Sequence, residues 1–263
     1  MNEKDAYRYL EEQFVATFLD ELIPGILHNF ANPLNGIMGR SKLMQRRLID
    51  FIEKIEARTP GTQQEMGVSG KKLMSDINAI VQESEKFYDI FRVSTGKFYA
   101  IGIHNMDCLN LSSLVETEMG FADFYLDFKH NVKKEVRIDH EMPDISGITA
   151  FYSMALWSLI RQSIKNIHDA NNQTLMIATD HDDQWVSVTI NNMGGASLQG
   201  RRDALSDAIL KGGKLQDVPE EQRDLFCALS LLKKSSAGVE IMHDGDAGTL
   251  TVRIPHQLKK KEV

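Results

Sequence analysis

His28 opens the segment His28-Asn-Phe-Ala-Asn-Pro-Leu-Asn-Gly-Ile37. A useful fraction of an imidazole is uncharged near neutral pH, and its bare nitrogen can accept a phosphoryl group and release it again. Asn32 lies four residues further on, a spacing that places both side chains on one face of a helix. Its carboxamide can orient a water molecule or an incoming acyl phosphate. Pro33 and Leu34 follow directly. The chemistry on offer is phosphoryl exchange and hydrolysis, provided that a helix displays the row.

Apolar residues recur at helical spacing over about residues 5–58: Phe14, Phe18, Leu22, Ile26, Phe30, Leu34 and Ile37, then Leu43, Leu48, Ile52 and Ile55. This predicts one long helix or two nearly in line. Pro24-Gly25 is expected to kink or restart it just before His28, and Pro33 to bend it again. Residues 59–70 carry Pro60, Gly61, Gly67 and Gly70 and read as a break. A second helix is predicted over about 70–94, with Leu73, Ile77, Ile80, Phe87 and Phe91 on its apolar side. Arms of matched length form an antiparallel hairpin. One hairpin cannot bury its apolar stripes, but two can as a four-helix bundle, so a homodimer of C₂ symmetry is expected. Residues 1–98 are thereby assigned to a dimerisation hairpin.

The pattern changes after Ser94-Thr-Gly96. Helices are expected over about 111–130, 147–171 and 221–235. Strands are expected over 133–139, 174–179 and 185–191, and a closing hairpin pairs 239–243 with 249–254. Residues 99–263 read as an α+β sandwich, a mixed sheet with helices on one face.

Bulk properties narrow the field. A length of 263 residues with 42% hydrophobic content supports one large or two smaller cores. The net charge of -7 argues against nucleic acid or an anionic membrane as the main partner. Cys108 and Cys227 show no metal-type spacing, which implies no disulfide framework and fits a reducing cytoplasm. No apolar run reaches the ~18 residues of a membrane span, and the polar N-terminus is not a signal peptide. A cytoplasmic protein is expected.

The segment beginning at His28 resembles the H-box of two-component histidine kinases: histidine, an acidic residue, two spacers, Thr or Asn, then Pro and Leu. His28, Asn32, Pro33 and Leu34 stand in place, with Asn29 where the acidic residue belongs. The layout is similar to the kinase core over about residues 10–256, a dimerisation and phosphotransfer hairpin followed by a domain like the ATP-binding domain of gyrase-type ATPases. The resemblance implies that His28 carries the phosphoryl group and that Asn32 serves dephosphorylation of a response regulator. It also implies that residue 29 accepts a hydrogen bond from the histidine Nδ1. Asn29 can accept that bond but cannot stabilise a developing imidazolium by charge. Attack on ATP suffers more from this than exchange with an acyl phosphate.

The nucleotide motifs depart further. Residues 159–170 resemble the N-box, with Asn166 on the asparagine that holds Mg²⁺ and Arg161 replacing an earlier asparagine. Residues 185–196 resemble the strand entering the first glycine box. There Asn191 stands for the aspartate that accepts from the adenine amino group, Met193 replaces the first glycine, and Gly195 keeps the second. The second glycine box, whose backbone amides cradle phosphates at a helix start, is replaced by Glu221-Gln-Arg-Asp-Leu-Phe-Cys-Ala-Leu229.

Three readings follow. In the first, a dimeric phosphorelay protein without a nucleotide cofactor exchanges a phosphoryl group between His28 and the receiver-domain aspartates of response regulators. In the second, a soluble histidine kinase autophosphorylates His28 from Mg-ATP held by Asn166, Asn191 and Gly195. In the third, a non-catalytic scaffold binds a receiver or a kinase and His28 is idle.

Overall fold

A computed structural model of the chain describes residues 1–56, 62–168, 174–191, 213–234, 237–244 and 247–256. It contains two compact units: Ile23–Ser94, and Met1–Leu22 together with Thr95–Val263. The first 22 residues, which the sequence had joined to the hairpin in a 1–98 segment, therefore pack with the second unit.

Helix α1 spans Glu3–Thr17, a π-helical turn covers Phe18–Leu22, and α2 runs Ile23–Glu56. The restart expected at Pro24-Gly25 thus falls at the π turn. Pro24 sits in the first turn of α2, directly after the π turn, so its missing N–H falls where one helix type gives way to the other. α3 runs Thr62–Gly102, so the break expected over 59–70 is shorter than the glycines suggested. A glycine inside a helix costs only about 1 kcal/mol against alanine, and Gly70 stands in open space.

Within the unit Ile23–Ser94 the two helices are antiparallel. Phe30 lies against Phe87, with ring centroids 5.3 Å apart. Arg40 and Arg47 both reach Asp76, which is 1% exposed. Arg47 also bonds the Lys72 carbonyl at 3.4 Å. Partners climb on α2 as they descend on α3. One side of the pair is left bare: Leu27, Leu34, Met38, Leu48 and Ile49 on α2, and Met74, Ile77, Val81, Tyr88 and Phe91 on α3, are exposed. The α3 members alternate at the spacing of a heptad seam.

The other unit holds a five-stranded sheet of order β2-β4-β5-β7-β6 (Lys133–Arg137, Thr174–His181, Trp185–Ile190, Ala247–Pro255 and Gly238–Asp244). β2 pairs with β4 in parallel and the other pairings are antiparallel, which is the mixed sheet that was expected. A small antiparallel pair, β1 (Met106–Leu109) with β3 (Ile145–Ile148), was not. One face of the large sheet carries buried Leu175, Ile177, Val186, Val188, Ile190, Leu250, Val252 and Ile254. Over it lie α6 (Thr149–His168) and α7 (Arg223–Lys234). The helix expected over 111–130 is two, α4 (Leu111–Ala122) and α5 (Leu126–Asn131). α1 packs on this unit through Phe14 against Trp157 at 5.9 Å and Tyr7 against Phe151 at 5.3 Å.

At its centre Lys97, on the last turns of α3, is completely buried with Glu118 of α4 and Ser153 of α6. The Lys97 ammonium donates to both Glu118 oxygens at 2.9 and 2.7 Å and to Ser153 Oγ at 2.9 Å, while Ser153 Oγ donates to Glu118 Oε1 at 2.6 Å. Phe14 and Trp157 present their ring faces to the ammonium at 5.2 and 5.3 Å. Burial pushes the Lys97 ammonium down and the Glu118 carboxyl up, and each is partly restored by the other. Removing one partner leaves a buried charge alone, which costs about 3–5 kcal/mol, whereas replacing the whole group by apolar side chains is often neutral. Lys97→Met should therefore lose about that much stability in urea titration, and the triple variant Lys97→Met, Glu118→Leu, Ser153→Ala should recover most of it.

A second pair closes the far end of β4. His181 Nδ1 bonds Asp139 Oδ2, and the Asp139 amide donates to Thr179 Oγ1 at 2.9 Å. The carboxylate raises His181 above the ordinary 6.5, and the imidazole holds Asp139 below the ordinary 3.8. Their contribution is whole between those ordinary values. It fades as pH rises through the raised His181 value and as pH falls through the lowered Asp139 value. In Asp139→Asn the His181 midpoint, followed by NMR, should drop, and the Tm gap between wild type and variant should narrow above that midpoint.

Candidate phosphoacceptor site

His28 is exposed in the second turn of α2, and Asn32, Asn35 and Gly39 are exposed along the same side. The apolar seam of Leu27, Leu34 and Met38 occupies a different side of the helix. The histidine row and the apolar seam are therefore separate surfaces, as the periods of the two patterns require. Pro33 is buried within the continuous helix. It has no N–H to offer the carbonyl four residues earlier, that of Asn29, so the turn carrying His28 is freed from one ladder bond.

Asn29 is 6% exposed, and its Nδ2 donates to the Gly25 carbonyl at 2.8 Å. That bond fixes the carboxamide to the backbone one turn back. A carboxylate could not donate it, so an amide at position 29 has a structural use that the sequence did not disclose.

The residues proposed for nucleotide lie in the other unit. Asn166 is half-buried on α6, and its Oδ1 accepts from Gln162 Nε2 at 3.1 Å. Asn191 follows β5. Its Oδ1 accepts the Met176 N–H at 2.6 Å, and its Nδ2 donates to the Thr174 carbonyl at 3.3 Å. Its own backbone joins in, with the amide on the Met176 carbonyl at 3.1 Å and the carbonyl accepting from Ser163 Oγ at 2.5 Å. The side chain extends the β4 ladder past the end of β5. The oxygen expected to receive an adenine amino group is already bound. Gly195 and Met193 lie outside the described residues.

The start of α7, where phosphates would be cradled, is acidic. A 3₁₀ turn Glu220–Gln222 leads in, and Asp224 sits in the first turn of the helix. Arg161, 13% exposed, lies 3.7 Å from the Asp224 carboxylate and 3.5 Å from that of Glu21. Ser158 Oγ donates to the Asp224 carbonyl at 3.3 Å. Burial and the Asp224 carboxylate push the Tyr9 phenol up. Three helices thus meet in a charge cluster that sequence reasoning missed. The replacement of the N-box asparagine by Arg161 was its only visible trace. Among the described residues, Asn191 Oδ1 already accepts one hydrogen bond, and the start of α7 carries carboxylates where the resemblance would place a glycine-rich phosphate cradle. No group of three His, Cys, Asp or Glu among those residues could hold a metal ion.

No family model and no curated relative matches the sequence. Solved structures do. The chain is similar to the histidine kinase AdeS of Acinetobacter baumannii, at 14% identity and TM-score 0.43, over 83% of this chain and 96% of that one. It is similar to the catalytic domain of the histidine kinase ThkA in a nucleotide-free form, at 13% and 0.41, over 58% and 96%. It is also similar to a bacterial phosphotransferase, at 10% and 0.37, over 88% and 93%. These are likenesses of layout, and they transfer no residue role.

The position of Asn191 yields a direct check. Asn191→Asp keeps an acceptor for Met176 but removes the donor to Thr174 and sets two oxygens against each other. Stability should fall by about 1–3 kcal/mol, read as a lower urea midpoint at unchanged slope.

Proposed function

We propose that this is a cytoplasmic, dimeric phosphorelay protein, in which His28 exchanges a phosphoryl group with the receiver-domain aspartates of response regulators. The observation that carries the choice is the contrast between the two candidate sites. His28 and Asn32 form an exposed row on a helix, whereas Asn191 is bound on both sides by strand β4. In the forward step the bare imidazole nitrogen attacks phosphorus in line. The N–P bond forms as the acyl P–O bond breaks, and the receiver's carboxylate leaves. The reverse step hands the group to a second receiver. Such a displacement needs positioning more than new chemistry. Asn32, one turn along, orients the acyl phosphate, or a water molecule when the outcome is hydrolysis.

The homodimer rests on the bare seam along α2 and α3, whose heptad spacing suits burial against a second copy. No described helix is long and apolar enough to cross a membrane. In the soluble-kinase reading Asn191 would have to serve a nucleotide with a carboxamide already tied on both sides to strand β4.

Incubation with a phosphorylated receiver should place an acid-labile phosphoryl group on the wild-type protein and none on His28→Ala. Calorimetry should find no binding of an ATP analogue with Mg²⁺ tighter than about millimolar. Tight binding followed by autophosphorylation would establish the kinase reading instead.

A further inference from the structure

The bare side of the hairpin has a profile of large and small residues. On α3 the seam runs Met74, Ile77, Val81, Tyr88 and Phe91, all exposed. The heptad position midway between Ile77 and Phe91 is Ser84. A serine there opens a notch in an otherwise bulky row, and a groove runs through it past Ile80, Val81 and Tyr88. The Ser84 hydroxyl donates to the Ile80 carbonyl at 2.8 Å. Its polar atom is turned back on its own helix and needs no partner from an occupant, so the notch suits an apolar side chain.

The contacts between the two helices fix which residues share a level. Phe30 stands against Phe87, and a Cβ on Gly36 would lie 3.1 Å from Glu83 Cγ. Between these contacts, Leu34 on α2 is level with Ser84 on α3. Leu34 is 42% exposed and lies in the α2 seam with Leu27 and Met38. Ser84 is exposed too, so Leu34 leaves the notch of its own chain open. About two turns along, the sizes reverse: Ser41, seven residues after Leu34, is level with exposed Ile77, close to the Asp76 ion pairs. Small stands opposite large at both levels, which is the pattern of surfaces that interdigitate.

We infer that the notch at Ser84 receives Leu34 of a second copy, and that this contact determines which chains can pair. The inference rests on the reading of the hairpin as half of a homodimeric four-helix bundle. In such a bundle α2 of one copy adjoins α3 of the other, and two hairpins pointing the same way bring equal levels together. Twofold symmetry makes the contact twice, so any misfit counts twice. A chain enlarged at position 84 clashes with the incoming leucine, and a chain shortened at position 34 leaves a void. Leu34 follows Asn32 by two residues, so the same contact supports the phosphoacceptor helix beside its functional row.

Sedimentation equilibrium of the full chain measures the pairing, and native mass spectrometry identifies mixed dimers. Leu34→Ala should weaken dimerisation about tenfold for each of the two contacts, about a hundredfold in all. Ser84→Leu should weaken it comparably by overfilling the notch. Mixing the two variants should restore pairing. In the mixed dimer the enlarged position of one chain meets the shortened position of the other, and the native Leu34–Ser84 pair forms at the second contact. Variants that are each weakened but stay monomeric when mixed would place both residues in contact within one chain, which overturns this inference and leaves the dimer standing. Variants that pair as the wild type does overturn it equally. So does a Ser84→Leu dimer tighter than wild type, because the notch would then be empty in the pair. A wild type that sediments as a monomer at the highest concentration measured overturns the dimer reading, and this inference with it.

Discussion

The buried contact among Lys97, Glu118 and Ser153 is the constraint on which the larger unit depends. It joins three helices that are far apart in sequence, and it does so with charges that have no water to fall back on. A full ion pair in an apolar interior gains little net stability, but it tolerates few alternatives. Lys97 must find Glu118, and the helices must be correctly placed before it can. The aromatic walls of Phe14 and Trp157 make the requirement sharper, because they bring α1 into the same contact. A segment that precedes the hairpin in the chain is thereby claimed by the other unit.

The two candidate sites show how the same residue type can serve opposite ends. Asn32 lies on an exposed helix face, with its carboxamide open to an incoming group. Asn191 uses its carboxamide as a surrogate peptide, accepting and donating where a further strand residue would have done so. Asn29 lies between these cases, buried and tied to the backbone of Gly25. What separates the three is whether a backbone group stands within reach of the carboxamide: Thr174 and Met176 for Asn191, and Gly25 for Asn29. A short amide side chain is well suited to bond such groups, at a strand end or one helical turn back.

Much of this was legible in the sequence. The long helices followed from apolar residues recurring every three or four positions. The mixed sheet followed from alternation in 174–179 and 185–191. The break over 59–70 was overestimated because glycine propensity is weak beside the packing of a 41-residue helix. The strands at Met106–Leu109 and Ile145–Ile148, with four residues each, are too short for a period to show. An amphipathic stripe reveals that α1 is buried on one side but not what buries it. The histidine row was visible from residue types and spacing alone. The commitment of Asn191 was not, since a hydrogen bond from the far strand leaves no mark on the local sequence. The cluster of Arg161, Glu21 and Asp224 was hidden for the same reason, being assembled from three distant segments.

Asp76 has a mechanical consequence. Its carboxylate is closed off from water and held by Arg40 and Arg47, which stand about two turns apart on α2. Sliding α3 along α2 by one turn in either direction would bring Asp76 level with one arginine and draw it away from the other. The two ion pairs therefore act as opposed stays: whichever way the helices slip, one is stretched, and the register that sets Phe30 against Phe87 is the position in which both are kept.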